Sequence, residues 1–294
     1  MNFGRVISAM VTPFNDNLEV DYQQAVKLAK KIAQEGNDTI LLAGTTGESP
    51  TLSIDEKLQL FEQVVRALKG STPIMAGTGS NNTKFSIELS MEAEKIGVSG
   101  LLLVVPYYNR PTQNCLYEHF KSIAEAVSIP IILYNVPSRT VTNLEPTTVA
   151  KLAKIDNIIG VKEASGDMDQ ISQIKMLVPE TFKIYSGDDS LTLPMLSLGC
   201  AGVISVASQL VGQEIQKMIL LFNQGKIAEA RKLHYKLLPV FDAMFITTNP
   251  IPVKAALNMT GFNVGNLRPP LMQLGEEEKQ FVANAIKAFK EVNI

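Results

Sequence analysis

The sequence predicts an α/β fold, a (β/α)8 barrel of the TIM type with a C-terminal helical appendage, and three features predict it. Short apolar runs alternate eight times with longer segments of helical period over about 210 residues. The runs are apolar without polar alternation, as parallel strands covered on both faces require. After the eighth run the strand signals stop and only helical patterns follow.

The first strand is read in "VISAMV", followed by a helix in "DYQQAVKLAKKIAQ"; the next units are "TILLA" with "SIDEKLQLFEQVVRAL" and "PIMAG" with "TKFSIELSMEAEKIG". The pattern continues through "GLLLVV" with "CLYEHFKSIAEAV", "PIILYN" with "EPTTVAKLAKI", "IIGVK" with "MDQISQIKMLV" and "FKIYS" with "LTLPMLSLG". It closes with "AGVISV" and helical sequence from about Val211. Eight such units favour a closed barrel over a doubly wound sheet. The stretches 212–224, 226–244, 252–259 and 276–291 read as helices, separated by "NQGK", "TTNP" and "GFNVGNLRPP". The division expected is a barrel unit over residues 1–224 and a helical region over 225–294, packed on the barrel because no Pro/Gly/Ser-rich linker precedes it.

With 294 residues, 46% of them apolar, the chain can bury a full core. A net charge of -2 with interspersed signs offers no field for nucleic acid or a membrane surface. Cys115 and Cys200 lack a CxxC, and His119 and His234 are the only histidines, so neither a disulfide framework nor a histidine-rich metal site is encoded. The chain reads as cytoplasmic, free of metal and cofactor, with no signal segment or membrane span.

Catalytic groups of such barrels sit at the C-terminal ends of the strands. There the sequence offers Thr12, "GTTGES", "GTGSNN", "PYYNRP", "YNVPSRT", Lys162, "SGDDS" and Ser205. Lys162 ends a buried run, and a lone lysine there either snorkels or pairs with Glu163 or Asp188, or loses its proton and becomes a nucleophile. A neutral amine beside Tyr134, the end of the neighbouring strand, suits imine formation with a keto group and class I aldolase chemistry, which needs no metal. Strand alternation turns Glu163 away from Lys162. "GTTGES" is either a plain strand-to-helix turn, with Gly44 and Gly47 in the turn and Ser53 as helix cap, or a cradle of hydroxyls and N–H groups for a carboxylate. Gly77 and Gly79 read as turn residues, and the adjacent Tyr107 and Tyr108 as packing or interface residues. Arg139, in a proline-fixed loop, is either a surface ion-pair partner or a bidentate holder of a substrate carboxylate.

Together "GTTGES", "PYYNRP", "YNVPSRT", "GVKEAS", "SGDD", "GVISV" and "NPIPVKAAL" resemble, in order and spacing over essentially the whole chain, the dihydrodipicolinate (4-hydroxy-tetrahydrodipicolinate) synthase family. The resemblance implies a lyase that condenses pyruvate with L-aspartate 4-semialdehyde in lysine and diaminopimelate biosynthesis. The wider superfamily's pyruvate-dependent sugar-acid aldolases share the lysine and tyrosine, and a non-catalytic pyruvate-binding protein is a more distant alternative. The resemblance places the imine on Lys162 and the proton relay on Tyr134, Thr46 and Tyr108, the last reaching in from a neighbouring subunit. Thr45 would hold the pyruvate carboxylate, Arg139 the semialdehyde carboxylate, and Gly187 and Ile204 would supply backbone contacts. The implied assembly is a tetramer of two dimers, or a dimer. The family's lysine effector site matches Ser49, Pro50, Ile54, Lys57, Asn81, Phe85 and Tyr107. Ile54 and Lys57 stand where sensitive relatives carry histidines and Phe85 where they carry a glutamate, so lysine inhibition is not expected.

Overall fold

A computed structural model describes residues 3–291. Eight parallel strands pair in sequence order and close on themselves: β1 (Val6–Ala9), β2 (Thr39–Leu42), β3 (Ile74–Gly77), β4 (Gly100–Val104), β5 (Ile131–Asn135), β6 (Ile158–Glu163), β7 (Lys183–Ser186) and β8 (Gly202–Ser205). Between them lie α1 (Tyr22–Gln34), α2 (Ile54–Leu68), α3 (Thr83–Ile96), α4 (Gln113–Ala126), α5 (Pro137–Thr140), α6 (Pro146–Leu152), α7 (Met168–Leu177) and α8 (Thr192–Ser197). The helices α9 (Ser208–Asn223), α10 (Ile227–Ala243), α11 (Ile251–Met259) and α12 (Glu276–Glu291) follow the last strand. Among the described residues no helix is long and apolar enough to cross a membrane.

Local chemistry starts the helices where the sequence places them. Asp21, Asn82, Thr112 and Asp167 accept a hydrogen bond from the backbone N–H three residues on. Ser53 and Glu56 form a reciprocal capping box at the start of α2. Helix α1 turns a stripe of small and branched residues inward, Ala25, Leu28, Ala29 and Ile32. The strands separate two apolar clusters. The larger lies between sheet and helices; the smaller, with Ile7, Leu41, Met75, Leu102, Ile132 and Ile204, fills the barrel bore. In register across three strands, Tyr134 pairs with Lys162 and Lys162 with Tyr185, so all three enter the bore.

Four details depart from the sequence reading. Arg139 rides on the single helical turn of α5 rather than on a loop. Helix α9 begins at Ser208, with a break at Val211, because the buried Asp189 carboxylate accepts from the N–H groups of Val206 and Ala207 and from the Ser205 hydroxyl. In the "GTTGES" loop Gly44 and Gly47 stand in the turn as expected, the Gly47 N–H bonded to the Gly44 carbonyl, but the left-handed backbone falls on Glu48 and on Ala43 just before the loop. Gly77 and Gly79 serve close approach, not turning: a Cβ there would lie 2.4 Å from the Ala43 carbonyl oxygen and 2.4 Å from the Val104 nitrogen.

Candidate active site

Lys162 reaches the bore because strand alternation sends its neighbour the other way. Glu163 faces the helix layer, where its carboxylate accepts from Asn135 Nδ2, Gln170 Nε2 and the Ser165 N–H. The lysine is therefore left without that acid as a partner. Its Nζ lies 4.4 Å from the centre of the Tyr134 ring. Burial pushes its ammonium from 10.5 down to about 8; Arg139 adds to the fall, while Asp189 and Asp188 oppose it.

The phenol beside it is tuned the opposite way. Burial raises Tyr134, against a hydrogen bond with Thr45 and the charge of Arg139, so it stays protonated near neutrality. Thr45, Tyr134 and Arg139 line one cavity of about 380 Å³, which extends to Ser49, Lys57 and Phe85. A protonated phenol and a guanidinium at one cavity, with an amine of lowered basicity buried against the phenol ring, are the parts of carbonyl addition with a carboxylate held nearby.

A model of the dihydrodipicolinate synthetase family matches residues 2–289. The chain belongs to that family. It is 54% identical over 289 residues to the 4-hydroxy-tetrahydrodipicolinate synthase of Heliobacterium modesticaldum, covering 98% of this chain and 96% of the relative. The enzyme of the same name from Desulforamulus reducens is 52% identical over 285 residues, 97% of this chain and 96% of its own. Among solved structures, the Cyanidioschyzon merolae enzyme with lysine bound superposes with a TM-score of 0.97, at 45% identity and 99% coverage of both chains.

The remaining sequence-derived residues fall at differing distances from this centre. Thr46 is buried and its hydroxyl accepts from Asn249 Nδ2 at 3.0 Å. Gly187 follows β7, with its N–H bonded to the Glu163 carbonyl. Ile204 is in the bore. Tyr108 is 91% exposed with φ +72°, so within one chain it joins nothing in the cavity. Beyond these, the fold adds residues the sequence did not single out. Glu48 and Lys254 form a buried ion pair at 2.7 Å, and Glu48 also accepts from the Arg268 N–H. Asn249, whose carbonyl accepts from Arg139 at 3.4 Å, touches two of the candidate groups. The signal was present in "GTTGES" and "NPIPVKAAL", but not the fact that they meet.

Proposed function

We propose that this chain condenses pyruvate with L-aspartate 4-semialdehyde to 4-hydroxy-tetrahydrodipicolinate through an imine on Lys162. The observation that carries it is the buried Lys162 amine, 4.4 Å from the centre of the Tyr134 ring, its ammonium lowered to about 8. The names of its relatives support the same activity. The neutral amine adds to the pyruvate keto carbon; water leaves and the protonated imine makes the methyl carbon acidic. Loss of that proton gives an enamine, whose carbon attacks the aldehyde, and the new alkoxide takes a proton. The semialdehyde's own amine then displaces Lys162 from the imine carbon, closing the ring and freeing the enzyme.

Tyr134 and Thr45, hydrogen-bonded to each other, serve as the near part of the proton relay, with Tyr108 of the partner subunit as its outer end; Thr46, to which the resemblance gave that part, meets Asn249 instead. The exposure of Tyr108 in the single chain supports that placement. Thr45 and the backbone at Gly187 and Ile204 hold the pyruvate. Arg139, exposed at the cavity rim, meets the semialdehyde carboxylate, which a neutral sugar-acid aldehyde end would not require. The reading includes a dimer that pairs into a tetramer, and a cytoplasmic location, supported by two unpaired cysteines.

The test is intact mass after borohydride reduction in the presence of pyruvate. One reduced pyruvyl group is expected on the chain and none on Lys162→Ala; labelling that persists in the variant overturns the assignment. Comparing rates with the semialdehyde and a sugar-acid aldehyde then decides the second substrate.

A further inference from the structure

Glu48 stands in a left-handed backbone conformation, φ 55° and ψ 36°, which a side chain of its kind rarely takes unless its surroundings impose it. Here the side chain itself supplies the constraint. Its carboxylate is buried, with both oxygens engaged by the C-terminal region: Oε1 accepts from Lys254 Nζ at 2.7 Å and Oε2 from the Arg268 backbone N–H at 3.0 Å. Lys254 is fixed in turn, donating to the Asn266 carbonyl at 2.7 Å and lying 4.1 Å from the centre of the Phe14 ring.

The backbone of the same residue faces the site. Its N–H donates to the Thr45 carbonyl at 3.0 Å, and its carbonyl accepts from the Thr51 N–H at 2.9 Å. Glu48 therefore closes the turn that begins at Thr45 and opens the short helical turn Ser49–Thr51. Thr45, Ser49 and Pro50 line the cavity, and Thr45 is hydrogen-bonded to Tyr134. The Gly47 carbonyl is held independently by Thr12 Oγ1 at 2.7 Å, so a change of backbone direction at Glu48 is taken up by the turn that carries Thr45.

We propose that Glu48 is a positioning residue: clamped by the C-terminal region, it keeps the left-handed turn that sets the Thr45 hydroxyl against Tyr134. The inference rests on the relay part given above to Tyr134 and Thr45. Lys254→Met combined with Glu48→Gln removes the pair without leaving a buried charge and keeps the side-chain shape while releasing the backbone. It is expected to lower kcat ~10- to 100-fold, up to what a misplacement of about 1 Å costs. The midpoint of the pH profile for borohydride trapping should stay at about 8, because Lys162 remains buried. General loosening of the barrel would instead carry that midpoint toward 10.5, the value of an exposed lysine. Lys254→Met combined with Glu48→Asn is expected to recover part of kcat, since asparagine takes left-handed backbone more readily than glutamine although it fills less space. A packing role predicts the reverse order. Wild-type kcat with Glu48→Gln, a kcat no higher with Glu48→Asn, or a midpoint moved toward 10.5 would overturn the proposal. If the Lys254→Met chains do not fold, Glu48→Gln and Glu48→Asn carry the same comparison beside the native Lys254, which keeps its bond to the Asn266 carbonyl. Thr45→Val separates the two levels: wild-type kcat there overturns the relay reading, whereas a low kcat there with the order of the two Glu48 substitutions reversed overturns only the role of Glu48.

Discussion

Burial moves the Lys162 ammonium from 10.5 to about 8, and this one displacement governs its reactivity. At pH 7 about one amine in ten is then neutral, against about three in ten thousand at the unshifted value. The neutral share grows as pH rises and saturates above the folded value. The rate of borohydride trapping at subsaturating pyruvate is therefore expected to climb up to tenfold per pH unit below pH 8 and to flatten above it. A slope that persists between pH 9 and 10 would mean that burial does not depress the amine. The same shift costs stability: the unfolded chain binds its proton near 10.5 and the folded chain only near 8, so the cost grows as pH falls through that window and is complete below it. Lysine at Lys162 is thus held at a stability cost that a methionine would not incur.

Helices α2 and α3 present Lys57 and Phe85 to the cavity, with Lys57 Nζ 5.8 Å from the Phe85 ring centre. Burial pushes the Lys57 ammonium down, and no acid contributes to its environment. A free lysine entering here would bring two more ammonium groups to a wall that supplies no carboxylate. Loss of one partner from a buried charged pair weakens binding by ~2–5 kcal/mol, roughly 30- to 3000-fold. Lysine titrated against activity at low pyruvate should leave the rate unchanged below about 1 mM; clear inhibition there would show a counter-charge supplied from elsewhere. A second element-scale contact is the Glu48–Lys254 pair, 0% and 2% exposed, which joins the β2–α2 loop to α11. Lys254→Met leaves the Glu48 carboxylate buried without its cation and should cost ~3–5 kcal/mol. Urea unfolding should find the loss smaller when Glu48→Gln is added. Additive losses would argue that the two side chains are not coupled.

At the scale of the whole molecule, Tyr108 cannot serve its own chain's cavity, standing 91% exposed in a left-handed backbone conformation. If it completes the partner's relay, mixing inactive Tyr108→Phe chains with inactive Lys162→Ala chains should restore one competent site per mixed dimer. Heterodimers verified by mass yet devoid of activity would refute sharing. The proposed division after residue 224 is a division of pattern more than of stability, because Asn249, Lys254 and Arg268 return to the "GTTGES" loop and to Glu56 at the start of α2. Much of the molecule was legible in the chain alone. Strand runs, helix caps and the barrel order are set by neighbours a few residues apart, so periodicity and capping chemistry reveal them. The opposed directions of Lys162 and Glu163 follow from the same local alternation. Tertiary structure alone decided which groups lose water and which meet across the sequence. Gly77 is small because the Ala43 carbonyl passes 2.4 Å from where its Cβ would stand, and Asp189 holds the start of α9. Desolvation and contacts such as Asn249 with Thr46, 203 residues apart, depend on three-dimensional closure, which no local pattern of residue types encodes.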